Sequence, residues 1–306
     1  MPTPSLPPDT PEQALITHFN GAKLVVIAFA GTGKTTTLIK YALANPNLRI
    51  LYVAFNRAIR DEAKAKFPKN VECLTSHQLA YAEYGKRYRH KQKNNLRLLD
   101  IGNALSSRNW AMIKDVQGTL NTFLASAEDG VRIGHTPRTA TPESLTEDQH
   151  AYKVLLVDHA TKVWELMCDV ENDFPMTHDG YLKLYQLSKP MLAHRYSAIL
   201  FDEAQDANPV TSNVILSQPC IVIFVGDRHQ QIYRFRGADN ALDIAQMDDA
   251  KRLYLTNSFR FGPKVAMVAN AILGFKGEER KLIGRGGQDD VGMALPPGLA
   301  HRAVLH

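Results

Sequence analysis

The chain has 306 residues, 44% hydrophobic and 22% charged, with a formal net charge of +5; this is an ordinary globular composition with room for a large core and two domains, and the mild cationic excess permits a polyanionic partner without naming one. No apolar run approaches the ~20 residues of a membrane-spanning helix, and MPTPSLPPDTPEQ lacks the basic start and apolar stretch of a secretory signal, so a cytoplasmic protein without a membrane partner is expected. Cys73, Cys168 and Cys220 are odd in number and far apart, which argues against a disulfide framework or a zinc ribbon and reads as buried thiols.

Five prolines (Pro2, Pro4, Pro7, Pro8, Pro11) make a regular element before Glu12 unexpected. From Lys23, KLVVIAFA is a short β-branched run that passes into GTGKTTTLIKYALA, where apolar spacing turns helical: strand, glycine-rich turn, helix. A buried strand at Arg49 to Phe55, a helix over Asn56 to Phe67 closed by Pro68, and a strand at Val71 to Thr75 follow. Such alternation predicts a parallel sheet covered on both faces. Lys86 to Arg97 then holds six Lys or Arg and no acid, and helical periodicity continues without strand runs; Thr146 with Gln149 is a capping box, and Gly134 to Glu143 is a loop. Strand runs resume at Ala198 to Phe201, Cys220 to Val225 and Arg252 to Leu255, so a helical insertion interrupts one α/β domain.

The octet AFAGTGKT, Ala28 to Thr35, lies between a buried strand and a helix N-terminus, the place of a nucleoside triphosphate. Gly31 and Gly33 let successive N–H groups converge on phosphate oxygens, Lys34 neutralises the β- and γ-phosphates, and the Thr35 hydroxyl suits Mg²⁺. The strict pattern has glycine where this chain has Ala28. A second motif, ILFDEAQD from Ile199, ends a strand in two carboxylates at the same sheet edge; Asp202 is the candidate for holding Mg²⁺ and Glu203 for orienting and deprotonating the attacking water.

These residues resemble the UvrD/Rep class of superfamily 1 DNA helicases, whose phosphate turn commonly begins with alanine. The resemblance continues in order: TPEQ (Thr10 to Gln13) looks like the N-terminal glutamine motif, YVAFNRAIRDEA from Tyr52 like motif Ia, LTSHQLA from Leu74 like motif Ib, VGDRHQQIYRFRGA from Val225 like motif III, and LTNSFRF from Leu255 like motif IV. HDGYLKLYQLSKP from His178 is most similar to the F-box DNA helicases and their phage and bacterial relatives. It implies a RecA-like P-loop NTPase domain with a parallel sheet, interrupted by a helical insertion subdomain. The corresponding division is 1–85 and 196–262 for the RecA-like domain, 86–195 for the insertion, and 263–306 for the start of an incomplete second RecA-like domain.

By the same resemblance Gln13 reads the adenine edge, Phe259 stacks on the base, and Ala30, Gly31, Thr32, Gly33, Lys34, Thr35 and Thr36 cradle the phosphates. Thr35 and Asp202 hold the metal, Glu203 and Lys34 serve hydrolysis, Gln230 senses the γ-phosphate, and Arg260 reaches it as an arginine finger. Phe55, Asn56, His77, Tyr233, Phe235 and Arg236 fall where members contact single-stranded DNA, the alternating rings of Tyr233 and Phe235 sharing one face of an extended segment. Residue by residue, other readings stay open: Phe235 as core, His77 as a satisfied polar group, and the basic run as a solvated helix or loop rather than a duplex contact. The implied cofactors are ATP and Mg²⁺, and the implied partners are single-stranded DNA and its junctions with duplex. Members are known from DNA repair and recombination. The leading expectation is an ATP-dependent 3′→5′ helicase or translocase, of which this is the N-terminal motor part. The alternative is a translocation-deficient, nucleotide-gated DNA-binding or assembly subunit, completed by a partner chain or by a C-terminal region that supplies the second RecA-like domain.

Overall fold

The computed structural model describes residues 7–137, 146–231 and 249–292. The apolar runs form β1 (Lys23–Ala28), β2 (Ile50–Ala54), β3 (Val71–Thr75), β4 (Ala198–Phe201), β5 (Ile221–Gly226) and β6 (Lys251–Leu255). They pair in the order β3-β2-β4-β5-β1-β6, every neighbouring pair parallel. The RecA-like α/β fold implied by the resemblance is therefore the fold observed.

Side chains alternate along each strand between two apolar cores. One face sends Leu24, Val26, Ile50, Tyr52 and Leu200 against Ile16 of α1 (Pro11–Thr17), Leu38 and Tyr41 of α2 (Lys34–Ala44), and Ala63 of α3 (Arg57–Lys66). The other sends Val25, Ile27, Leu51, Val53, Phe201 and Phe224 against the helices between β3 and β4. These are α4 (Ser76–Glu83), α5 (Leu98–Ala104), α6 (Trp110–Ala125), α7 (Glu147–Cys168) and α8 (His178–Leu187); α9 (Pro209–Leu216) then joins β4 to β5. Phe123, Val163 and Tyr185 belong to the same continuous cluster as the strands, so the insertion shares the core of the sheet. After β6, β7 (Asn257–Ser258), α10 (Pro263–Phe275) and β8 (Ile283–Gly284) make a small β–α–β unit with its strands parallel.

Three expectations need correction. The prolines do not delay the first helix to Glu12: α1 begins at Pro11, its first position, where a fixed φ suits the helix and no N–H is missed. The basic run is not uniformly solvated. Gly85–Lys91 winds into 3₁₀ turns, and the buried Lys91 donates to the carbonyls of Leu166 in the last turn of α7 and of Asp169 and Asn172 just past it, while the other five Lys or Arg of the run are exposed. Cys73 is buried, but Cys168 and Cys220 are only half-buried; all three are free thiols. Among the described residues no helix is long and apolar enough to cross a membrane.

Candidate functional site

Strand register brings three loops to one edge of the sheet. Ile27 pairs with Gly226 and Phe201 with Phe224, so the turns after β1, β5 and β4 emerge side by side. In the first turn Gly31 (φ +72°) and Gly33 (φ +77°) adopt left-handed backbone, which an L side chain resists by roughly 1–2 kcal/mol. Space forbids one as well: a Cβ on Gly31 would lie 2.5 Å from Arg260 Cβ and 2.7 Å from Ser258 Oγ. The Thr32 hydroxyl donates to the Phe29 carbonyl at 2.8 Å and tightens the loop. Gly33 precedes α2 without a side-chain cap, leaving the first N–H groups of that helix directed at the turn.

Lys34 Nζ lies 2.7 Å from Glu203 Oε2. Thr35 Oγ1 donates to Asp202 Oδ2 at 3.0 Å, and the Tyr52 hydroxyl donates to the same oxygen at 2.9 Å. Glu203 holds φ +52°, left-handed backbone in a residue with a side chain, and its N–H donates to Asp202 Oδ1 at 3.0 Å. Burial, reinforced by the neighbouring Glu203 charge, pushes the Asp202 carboxyl above the ordinary carboxylate range against the pull of Lys34 and the two hydroxyls. Asp227, at the end of β5, is likewise raised by burial. Gln205 links these acids: its amide nitrogen donates to Glu203 Oε2 at 2.7 Å, and its oxygen accepts from the Asp227 N–H at 3.0 Å. The donor set fits a hard divalent cation, because a hydroxyl and a carboxylate oxygen stand together beside the glycine turn and an ammonium.

Above the turn, the buried Gln13 and the half-exposed ring of Phe259 flank Gly33, whose added Cβ would lie 3.3 Å from Gln13 Nε2 and 4.0 Å from Phe259 Cε2. Phe259 is held by its N–H to the Gly31 carbonyl at 2.8 Å. Arg260 is exposed, with its Cβ against the turn. Ala30 and Thr36 lie within and just after the turn, both half-buried. Gln230 is exposed, its N–H donating to the Asp227 carbonyl at 3.0 Å, so the buried polar side chain of this loop is Asp227.

Phe55, Asn56 and His77 line one open groove of about 780 Å³ at the same sheet edge, together with Asn121, Asp206 and Asn208. Asn56 Oδ1 accepts the Ile59 N–H at 2.9 Å and caps α3, so one N–H at the start of that helix is already satisfied. His77 Nε2 lies 3.0 Å from Asp179 Oδ1 with its ring edge-on to Tyr181, so it has a protein partner as well as access to the groove. Tyr233, Phe235 and Arg236 lie outside the described residues. Sequence reasoning missed Tyr52, Gln205, Asp227 and Glu12. All four stand inside motifs that had been recognised, but Tyr52 and Glu12 act through partners more than a hundred residues away.

Residues 9–250 match the UvrD/REP helicase N-terminal domain family. The chain is 40% identical to F-box DNA helicase 1 of Gallus gallus over 302 residues, covering 91% of this chain and 29% of that protein. It is 36% identical to F-box DNA helicase protein 1 of Schizosaccharomyces pombe, covering 90% and 34%, and 25% identical to DNA helicase IV of Escherichia coli over 142 residues, covering 44% and 21%. The chain thus spans about a third of the length of its two F-box relatives.

Proposed function

Because the chain belongs to the UvrD/REP helicase N-terminal domain family, we propose that it is the nucleotide-binding motor part of an ATP-dependent DNA helicase that translocates 3′→5′ on single-stranded DNA. The observation that carries this reading is the pairing of Lys34 with Glu203 and of Thr35 with Asp202 across the glycine turn. A magnesium ion held by Thr35 and Asp202 would neutralise phosphate charge and so favour attack on the γ-phosphorus. Lys34 exchanges Glu203 for the β- and γ-phosphates, and the released carboxylate takes the proton of the attacking water as the bond to the ADP oxygen breaks. Gln205 and Asp227 hold Glu203 in line. Arg260, beside Gly31, stabilises charge on the departing phosphoryl group. Gln13 and Phe259 take the adenine, Gln230 reports the γ-phosphate to motif III, the groove of Phe55, Asn56 and His77 takes the single strand, and Tyr233, Phe235 and Arg236 are further DNA contacts by resemblance. Residues 1–85 and 196–262 act as the motor domain, 86–195 as its insertion and 263–306 as the entry to a second domain.

A second reading, a nucleotide-gated DNA-binding subunit completed by other residues, is favoured by α10. Its Met267, Val268, Ile272 and Phe275 are exposed, Phe275 to 94%, the kind of face a further α/β layer would cover. Both readings expect the purified chain to bind ATP and, at low salt, single-stranded DNA. They separate on turnover: hydrolysis accelerated by single strands, with unwinding of a 3′-tailed duplex, establishes a self-sufficient motor. Binding without acceleration establishes the subunit, and no binding of either ligand overturns both.

A further inference from the structure

We propose that Glu12 is a specificity-positioning residue, which sets adenine recognition by clamping α1 onto the segment that leads into Phe259; this rests on the reading of Gln13 and Phe259 as the base slot. The base would lie between an amide on α1 and a ring just past β7, two elements separated by almost the whole chain. One carboxylate on α1 bonds directly to the segment that leads into Phe259. Glu12 Oε1 accepts the Thr256 hydroxyl at 2.6 Å, and Oε2 accepts the Thr256 N–H at 2.8 Å and Asn257 Nδ2 at 3.0 Å. Asn257 Oδ1 in turn accepts Arg285 Nε at 2.9 Å, and the Arg285 N–H donates to the Ser258 carbonyl at 2.7 Å, so the clamp extends through β7 to β8. Thr256 and Asn257 are buried and Glu12 half-buried, conditions in which charge-assisted bonds hold geometry well.

On α1 the next residue, Gln13, is locked by a capping box. Its Oε1 accepts the Thr10 N–H at 3.2 Å while its N–H donates to Thr10 Oγ1 at 3.1 Å, and Nε2 faces the Thr32 carbonyl at 3.5 Å. The amide therefore presents its oxygen and nitrogen in a fixed order. Adenine offers a matching donor at N6 and acceptor at N7, whereas guanine places an acceptor at O6 against Oε1 and leaves an oxygen pair unmatched. Discrimination of this kind depends on the amide being held in place, since a site that can shift cannot leave the wrong partner unpaired. Glu12 touches no nucleotide in this arrangement; it acts through Gln13 and Phe259.

The test measures competition of ATP and GTP against a fluorescent ATP analogue on the full chain, with thermal melting alongside. Wild type is expected to prefer ATP, and Gln13→Ala to lose most of that preference. Glu12→Ala is expected to weaken ATP about tenfold with GTP little changed, and Glu12→Gln, which keeps size and one acceptor, to fall between. The double variant Glu12→Ala/Gln13→Ala should lose no more of the preference for ATP over GTP than Gln13→Ala alone, because that preference is read by one amide. Thr256→Val, which cuts the clamp at its other end, should repeat part of the loss if Glu12→Ala does not fold. Should Gln13→Ala keep the ATP preference, the base-slot reading falls and this proposal with it. Should Gln13→Ala relax the preference while Glu12→Gln and Thr256→Val change only the melting temperature, the base slot stands and Glu12 is merely structural.

Discussion

At the cleft, Lys34 meets one carboxylate, Glu203, at 2.7 Å, and that side chain is itself 30% exposed. In the insertion, Lys91 is enclosed by the carbonyls of Leu166, Asp169 and Asn172, and Lys183 by those of Ser126 and Glu128 with the Phe123 ring 4.5 Å from its ammonium. All three cations are removed from water to a large degree, yet their partners differ in kind. A carboxylate at a cleft wall can turn away and be replaced by phosphate, because both partners are anionic and the replacement restores the charge pair. Main-chain carbonyls at a helix end cannot leave, so the lysines of the insertion complete helix caps that would otherwise be orphaned. Burial of a cation therefore does not mark a ligand site by itself; exchangeability of its partner does.

The sharpest way to break this contrast is to remove the two kinds of lysine in turn. Lys34→Met should lower the rate of ATP hydrolysis by about 10²–10³-fold, the usual cost of losing one preorganised donor to developing charge, while stability changes by under ~1 kcal/mol, as expected for a partly solvated pair. Turnover by malachite-green phosphate release and a urea denaturation curve read the two quantities. An unaltered rate would remove Lys34 from the phosphate site. A large loss of stability would place Lys34 with the structural lysines.

Lys91→Met should do the reverse. Three carbonyls at and just past the end of α7 lose their donor, which costs about 3 kcal/mol after partial repair by water. The melting temperature falls by roughly 6–12 °C on the usual scaling for chains of this size, and affinity for a fluorescent ATP analogue stays within about twofold. A melting temperature unchanged within a degree would mean that Lys91 is better solvated than its contacts imply.

What was legible in the sequence follows the range of the interactions. The glycine turn between β1 and α2 declares itself within eight residues, since β-branched run, glycines, lysine and threonine each answer to local geometry, and the acid pair after β4 does the same. The sheet was readable because its inner strands β1, β2, β4 and β5 are buried on both faces and appear as unbroken apolar runs. Lys91 was not, because its six-cation neighbourhood looks solvated and the carbonyls that hold it come from 75 to 81 residues later. Glu12 lies inside TPEQ, but only the fold brings Thr256 to it. Pro11 was read as a breaker where its position, the first of a helix, reverses the inference.

The finest test concerns the sign of a pH dependence at Lys183. Burial lowers its pKa from 10.5 to about 8, against the weaker pull of Asp129 and Glu128. Between those values the unfolded chain holds a proton that the folded chain has released, so this group makes stability rise with pH by about 1.4 kcal/mol per unit. That contribution is fully present above the ordinary lysine pKa and is lost as pH falls through about 8. Lys183→Met lacks it. At neutral pH the variant gives up two carbonyl hydrogen bonds but also the cost of a desolvated ammonium, two terms of opposite sign and similar size. The stability advantage of wild type over the variant should therefore be small at pH 7 and widen steadily from pH 8 to pH 10 in paired urea titrations. A difference that stays flat over that range would mean that Lys183 keeps its proton in the fold. The carbonyls of Ser126 and Glu128 would then stabilise the ammonium more than burial opposes it.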